Sequence, residues 1–378
     1  MSIFDKLRHF KKTFSLHQPL IEVFVYKENL LHNLREYQSS YPKLQFAPVL
    51  KANAYGHGLE QVLDVLKNED LPFICVDSHF ELRTARAHAP NLQFLVIGFS
   101  RLESIQKSGF KKTSFTIMSL DQLKQLSAKL SRPRQFHLKL DTGMHRQGIL
   151  PGQYQEAIKL IQSNPNILLE GLCSHLADPD NQPETLKQIA NWNNAARHFK
   201  TTFPEIKYTH LSATGGVSYS NKIDANLVRL GIGFYGNDDY HNGQPNLKPA
   251  LEMRSLITGT KIINAGEKIG YGLTFTAEKP MNIATVPVGY FEGMDRRLSN
   301  QGYFKVNGEF CPLVGRLSMD IATIDITENK NAVFGSEVVV ISAQSSDKNS
   351  VENISRLCGT IPYDILVHIP QHLRRTVI

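Results

Sequence analysis

Lys51 closes an early apolar stretch, LQFAPVL (44–50). An ammonium at the end of such a run is costly to take out of water. Two arrangements justify it. One is a buried ion pair. The other is a Schiff base with a carbonyl cofactor, which uses the readiness of a desolvated lysine to lose its proton and attack. Position alone leaves both open. Other reactive types close later apolar runs: DTGMHR (141–146), His175, the Thr-Gly-Gly after Ala213, and Arg229 followed by Gly231. Taken singly, His175 reads as a structural histidine and Arg229 as a salt bridge at a strand end.

The elements that must position these groups alternate. Short apolar runs at 44–51, 73–77, 92–98, 114–119, 136–141, 167–176, 208–213 and 226–236 are separated by helix-like segments such as LEQVLDVLKN (59–68) and LDQLKQLSAKL (120–130). Eight strands alternating with helices predict a parallel α/β fold of the (β/α)8 TIM-barrel type, in which reacting groups gather where strands end. A doubly wound sheet is the alternative, but no GxGxxG follows the first strand. A turn-rich stretch, HNGQPNLKPA (241–250), reads as a linker. Beyond it the runs are β-branched or alternating, and only 350–359 looks helical, so the C-terminal domain is expected to be mostly antiparallel β. The expected organisation is a basic amphipathic extension at 1–20, a barrel at 21–245 and a β-rich domain at 246–378.

With 378 residues, 41% hydrophobic and 20% charged, the chain can bury a large core, which excludes a disordered or fibrous protein. No apolar run reaches the ~18–20 residues of a membrane span. The four cysteines lie scattered, without metal-ligand spacing, which fits a reducing, cytoplasmic setting and neither a disulfide framework nor a zinc site. The net charge of +7 raises nucleic acid as a partner. Residues 101–139 hold nine basic side chains against Glu103 and Asp121, yet carry no recognition motif. They read as a solvated face, and no nucleic-acid partner is expected.

The sequence around Lys51, VLKANAYGHG (49–58), resembles the cofactor-lysine motif of the alanine racemases, pyridoxal-phosphate enzymes of fold type III. LKLDTGMHRQGI (138–149), GLCSHLAD (171–178), LVRLGIGFYG (227–236), VPVGYFEG (286–293), VGRLSMD (314–320) and GTIPYDIL (359–366) match in the family's order. The resemblance covers almost everything after the N-terminal extension. It implies a pyridoxal 5'-phosphate enzyme that interconverts L- and D-alanine with two bases, Lys51 and Tyr290, and so supplies D-alanine for peptidoglycan. Two bases suit racemisation, because a proton leaves one face of Cα and returns to the other.

Further roles follow from the same resemblance. His175 would hydrogen-bond the tyrosine, Arg229 would face the pyridine nitrogen, and Tyr55, Thr214, Gly231, Ile232 and Tyr363 would hold the phosphate. Arg146 and Met319 would bind the substrate carboxylate, and Lys139 stands where many members carry a carbamylated lysine. A homodimer with shared sites is implied, since Tyr290 and Met319 complete the other subunit's site in the family. The sequence departs from the family at Ala213 and Thr214, where an Asn-Ser pair is usual, and at Phe291 and Glu292 beside Tyr290. These changes bear on the substrate, so a serine or broader-specificity racemase is the alternative enzyme. A catalytically silent pyridoxal-phosphate protein is the alternative of another class.

Overall fold

A computed structural model describes residues 18–237 and 245–378. The amphipathic extension expected at 1–20 lies almost wholly outside the described residues. Strand β1 (Glu22–Val25) is followed by eight short strands: β2 (Gln45–Pro48), β3 (Ile74–Val76), β4 (Phe94–Val96), β5 (Thr113–Ile117), β6 (Arg134–Lys139), β7 (Ile167–Cys173), β8 (Tyr208–His210) and β9 (Leu227–Leu230). Strands β3 to β8 pair in parallel, each with its neighbour in sequence. Strand β2 pairs in parallel with β9, Ala47 opposite Arg229. The ring closes through a bridge between Val49 and Cys75 and a hydrogen bond from Arg229 N to Ser212 O of 3.1 Å. This is the barrel that the eight apolar runs predict. β3, β4 and β5 are buried on both faces, which is why their runs do not alternate.

Three of the described surrounding helices begin where the sequence places a side-chain cap, at Ser78, Ser119 and Asn181. Ser119 Oγ accepts Gln122 N at 3.2 Å at the start of Leu120–Lys129, and Asn181 Oδ1 accepts Glu184 N at 3.3 Å before Gln182–Thr202. The latter helix buries Trp192 completely, with its indole N–H donating to Asp224 O at 3.1 Å.

Two features differ from the sequence reading. Strand β1, expected within the barrel, pairs antiparallel with Leu251–Leu256 and parallel with Arg374–Val377, and so belongs to the six-stranded sheet of the C-terminal half. Its short alternating pattern, Glu-Val-Phe-Val, fits a sheet with one buried face rather than a barrel core. The segment GTIPYDIL also forms a second helix, Pro362–Val367, with proline at its start. The remaining C-terminal strands are antiparallel, including the three-stranded sheet of 259–263, 281–286 and 322–325.

The described end of the expected linker is anchored. Asn33, wholly buried on helix Lys27–Ser40, donates to Lys248 O (2.8 Å) and Phe234 O (3.2 Å) and accepts Lys248 N (2.8 Å). Replacing it with alanine strands three backbone groups, one buried and two partly buried. At about 1 kcal/mol each, Asn33→Ala should lower unfolding free energy by about 2–4 kcal/mol, read as a shift in urea midpoint without loss of fold.

Candidate active site

The strand ends converge on a cavity of about 630 Å³ whose lining includes Lys51, Tyr55, Lys139, Arg146, His175, Arg229, Gly231 and Tyr363. Asp77 is the one carboxylate among its described lining residues. Four cations around one cavity repel each other and favour a polyanionic occupant.

Lys51 enters the cavity at the start of an unusual turn. Ala52, Asn53, Ala54 and Tyr55 all have φ between 50° and 55°, a left-handed turn built without glycine. Such residues cost ~1–2 kcal/mol each, so the surroundings must hold them. The Glu81 carboxylate does so from outside, accepting Ala52 N at 2.8 Å and Asp77 N at 2.7 Å. Asn53 Oδ1 accepts Leu59 N at 3.0 Å and fixes the exit.

Arg229 is buried and immobilised. Its Nη1 donates to His210 Nδ1 (2.5 Å) and His210 O (2.9 Å), and its Nη2 to Ser174 O (2.7 Å), Leu211 O (3.1 Å) and His175 Nδ1 (3.1 Å). All four Nη hydrogens are therefore engaged, and Nε–H is the donor left for a ligand. Because a guanidinium only donates, the Nδ1 atoms of His175 and His210 must be bare, with the proton on Nε2. Burial, together with Arg229 and the lysines, holds both imidazoles well below the ordinary histidine range. Burial likewise lowers Lys139, with Arg229, Arg146 and Lys51 adding to the effect and Cys173 opposing it.

The Arg146 loop is folded back on β6. Asp141 Oδ1 accepts Gly143 N (3.0 Å) and His145 N (3.1 Å), and Gly148, at φ +127°, packs where a Cβ would lie 2.5 Å from Asp141 N. Tyr55 Oη lies beside Gly231, 3.2 Å from where a Cβ would sit. The Tyr55 and Tyr363 rings are 5.7 Å apart. Thr214 Oγ accepts Gly233 N at 3.2 Å, behind the cavity with the buried Ile232.

Tyr290 and Met319 do not line this cavity. They sit side by side on the C-terminal half, where Tyr290 N donates to Ser318 O (3.2 Å) and Phe291 N to Met319 O (2.9 Å). Gly289 permits that pairing, since a Cβ there would lie 2.2 Å from Met319 O. The buried Glu292 carboxylate accepts Gly289 N at 2.8 Å, so it braces the Tyr290 turn from within. Asp320 is exposed.

Sequence reasoning missed Glu81, His210 and the polar side chains behind them. The available signal was a histidine at a core position in two apolar strands, FHLKL and YTHLS.

A parallel barrel with a lysine and a locked arginine facing one cationic cavity, joined to a β-rich half, defines a class of protein, and comparison with known proteins names it. Residues 25–239 match the family model "Alanine racemase, N-terminal domain" and residues 250–377 "Alanine racemase, C-terminal domain". The chain is 32% identical over 343 residues to the alanine racemase of Methanococcus maripaludis, covering 88% of this chain and 92% of that one. It is 31% identical over 358 residues to that of Staphylococcus carnosus, covering 92% of each. Its structure matches the alanine racemase of Clostridium difficile 630 with a TM-score of 0.87 at 28% identity, covering 96% of both chains. It also matches that of Bartonella henselae, solved with covalently bound pyridoxal phosphate, with a TM-score of 0.83 at 25% identity, covering 96% of this chain and 100% of that one. The chain belongs to the alanine racemase family.

The buried imidazoles generate a pH prediction. His57, fully buried against Tyr235, is lowered to about 4 by burial, the nearby Arg375 adding to the effect. A histidine depressed in the fold takes its proton in the unfolded chain first, so stability is present above ~6.5 and is lost as pH falls toward 4. For His57 the loss is about 3 kcal/mol, and His175 and His210 act in the same direction. Urea midpoints measured from pH 7.5 to 4.5 should fall monotonically.

Proposed function

We propose that this protein is a pyridoxal-phosphate-dependent racemase that interconverts L- and D-alanine, working as a homodimer. The observation that carries the reading is Lys51 and Arg229 facing one cationic cavity from the paired strands β2 and β9, with only Nε–H of the arginine left to donate. The residues fit the cofactor. Lys51 would hold it covalently, the Tyr55, Thr214, Gly231, Ile232 and Tyr363 cluster would hold the phosphate, and Arg229 would donate to the pyridine nitrogen. Bound there, pyridoxal phosphate supplies a conjugated ring that withdraws electron density from Cα of an attached amino acid. A donor-only arginine leaves that nitrogen unprotonated, which limits the withdrawal and suits proton exchange more than amino-group transfer.

This chain's residues then move the proton. Lys51 serves one face of Cα. Tyr290 of a second copy serves the other, which is supported by its half-exposed position outside its own cavity. Neutral His175 keeps its Nε2–H, so it can only donate toward that tyrosine's oxygen and favours the deprotonated phenol. Arg146 binds the substrate carboxylate together with the Met319 backbone of the second copy. The contiguous exposed side chains Tyr290, Phe291, Met319 and Ile321 form an apolar surface of the kind that a subunit interface covers.

Lys139 is an amine lowered by burial among cations, and a neutral amine adds carbon dioxide. Carbamylation would turn it into an anion that offsets Arg146 and orients it. Protein incubated with 13C-bicarbonate should show a carbamate carbon resonance that Lys139→Ala lacks.

In deuterium oxide, L-alanine should yield D-alanine with deuterium at Cα. Comparable turnover of L-serine would favour the broader-specificity reading raised by Phe291 and Glu292. Cofactor retained without exchange would favour a silent binding protein. Lys51→Ala should abolish turnover, and Tyr290→Phe should slow it unequally in the two directions. Mixing these two impaired chains tests shared sites. A mixed dimer holds one site with both lesions and one intact, so activity should return to about a quarter of wild type after random exchange. No recovery would show that each site is built from one chain.

A further inference from the structure

Behind Arg229 a line of polar side chains runs down through the barrel interior. His210 Nε2 lies 2.7 Å from His137 Nδ1, and His137 Nε2 lies 3.4 Å from Glu170 Oε2. Ser114 Oγ donates to the same carboxylate oxygen, and Gln135 Nε2 donates to the other at 3.2 Å. His137 and His210 are fully buried, and Phe73 packs against both rings while Tyr208 stacks on His137. Buried polar groups in place of a barrel's usual apolar layers are costly unless every one is paired.

The strands are shaped to make this line. The β6–β7 register shifts between Phe136 and His137, so that Phe136 faces Leu169 and His137 faces Gly171, which leaves Glu170 as the extra residue of a bulge. A bulge re-aims a side chain, here toward His137. Gly171 makes room for the ring, since a Cβ there would lie 2.7 Å from His137 Nδ1.

The hydrogen bonds can run in one direction only. Arg229 donates to His210 Nδ1, so the His210 proton is on Nε2 and points at His137. His137 Nδ1 must then accept, which puts its proton on Nε2, pointing at the Glu170 carboxylate. Protonating either imidazole would set two hydrogens in one gap. We propose that Glu170, His137 and His210 are positioning residues that form a one-way hydrogen-bonded strut, locking Arg229 so that its Nε–H stays turned to the cavity. The groups facing the strut agree with this. Burial alone would raise Glu170, but hydrogen bonds from His137 and Ser114, with Lys207 nearby, hold it below the ordinary carboxylate range. Burial lowers both imidazoles, with Arg229 adding to it; the Glu170 carboxylate opposes the shift at His137, while His137 and Lys139 add to it at His210.

The role in orienting Arg229 for the pyridine nitrogen rests on the racemase reading, whereas the direction of the strut does not. It is therefore tested first in cofactor-free protein by nitrogen-15 NMR of the imidazoles. His137 and His210 should both carry the proton on Nε2 and remain neutral from pH 8 to 5.5. A proton on Nδ1 of either ring, or titration of either in that range, overturns the proposal. In Glu170→Leu, His137 should show mixed tautomers and the Arg229 Nε–H signal should broaden by faster exchange. Glu170→Gln keeps an oxygen for His137 and should restore both signals. With pyridoxal phosphate and alanine, Glu170→Leu should lower kcat roughly tenfold, as loss of an orienting partner does elsewhere, with KM little changed. Glu170→Gln should recover most of it. A Glu170→Leu protein with wild-type tautomers and kcat, or a Glu170→Gln protein no better than it, overturns the strut. Wild-type protein that does not interconvert alanine would overturn the racemase reading alone, because the tautomers would still decide the strut.

Discussion

A guanidinium buried in a barrel needs an acceptor for each hydrogen it does not give to a ligand, and much of this molecule is arranged to receive the Nη hydrogens of Arg229. Three backbone carbonyls and two imidazoles take its Nη hydrogens. A buried charge left partly unsatisfied would cost several kcal/mol, so the ends of β7 and β8 are fixed relative to β9 by this one side chain. The tautomers of His175 and His210 are fixed with them. His175 lines the cavity, and His210 keeps a donor toward His137.

The neighbouring wall, where β2 pairs with β9, is held by strain and its compensation. The left-handed turn after Lys51 is offset by the Glu81 carboxylate, by Asn53, and by the packing of Tyr55 between Tyr235 and Tyr363. The lysine is thereby presented by a turn braced through hydrogen bonds and ring packing. The same wall reaches into the C-terminal half, since Arg375 donates to Gly56 O at 2.8 Å and helix Pro362–Val367 packs on the turn. Strand β1, the first described strand, lies within the C-terminal sheet between Leu251–Leu256 and Arg374–Val377, so the two halves are tied together there as well.

Departures from the family pattern fall where the structure can absorb them. Thr214 still offers an oxygen, which accepts Gly233 N, and its methyl packs where glycine leaves space. Glu292 reaches Gly289 N with its longer side chain, and Phe291 stacks on His372 with ring centroids 5.0 Å apart. These contacts keep the Tyr290 turn in place while changing the surface beside it.

The barrel and the β-rich character of the C-terminal half were legible in the chain alone. Apolar runs of strand length, alternating with capped amphipathic segments, are local signals, and solvent exposure alone sorts their faces. Lys51, Arg146, His175 and Arg229 were marked in the same way, because a polar side chain ending an apolar run is visible without knowing its neighbours. The remaining features arise only on folding. That β1 would leave the barrel, that Glu81 would reach back to Ala52, and that His137, His210 and Glu170 would align beneath Arg229 all depend on contacts between residues far apart in the chain. The Glu170 bulge shows the reason most plainly. A shift of one residue between two strands leaves no mark in either strand's composition, yet it decides whether a carboxylate points into the core or away from it.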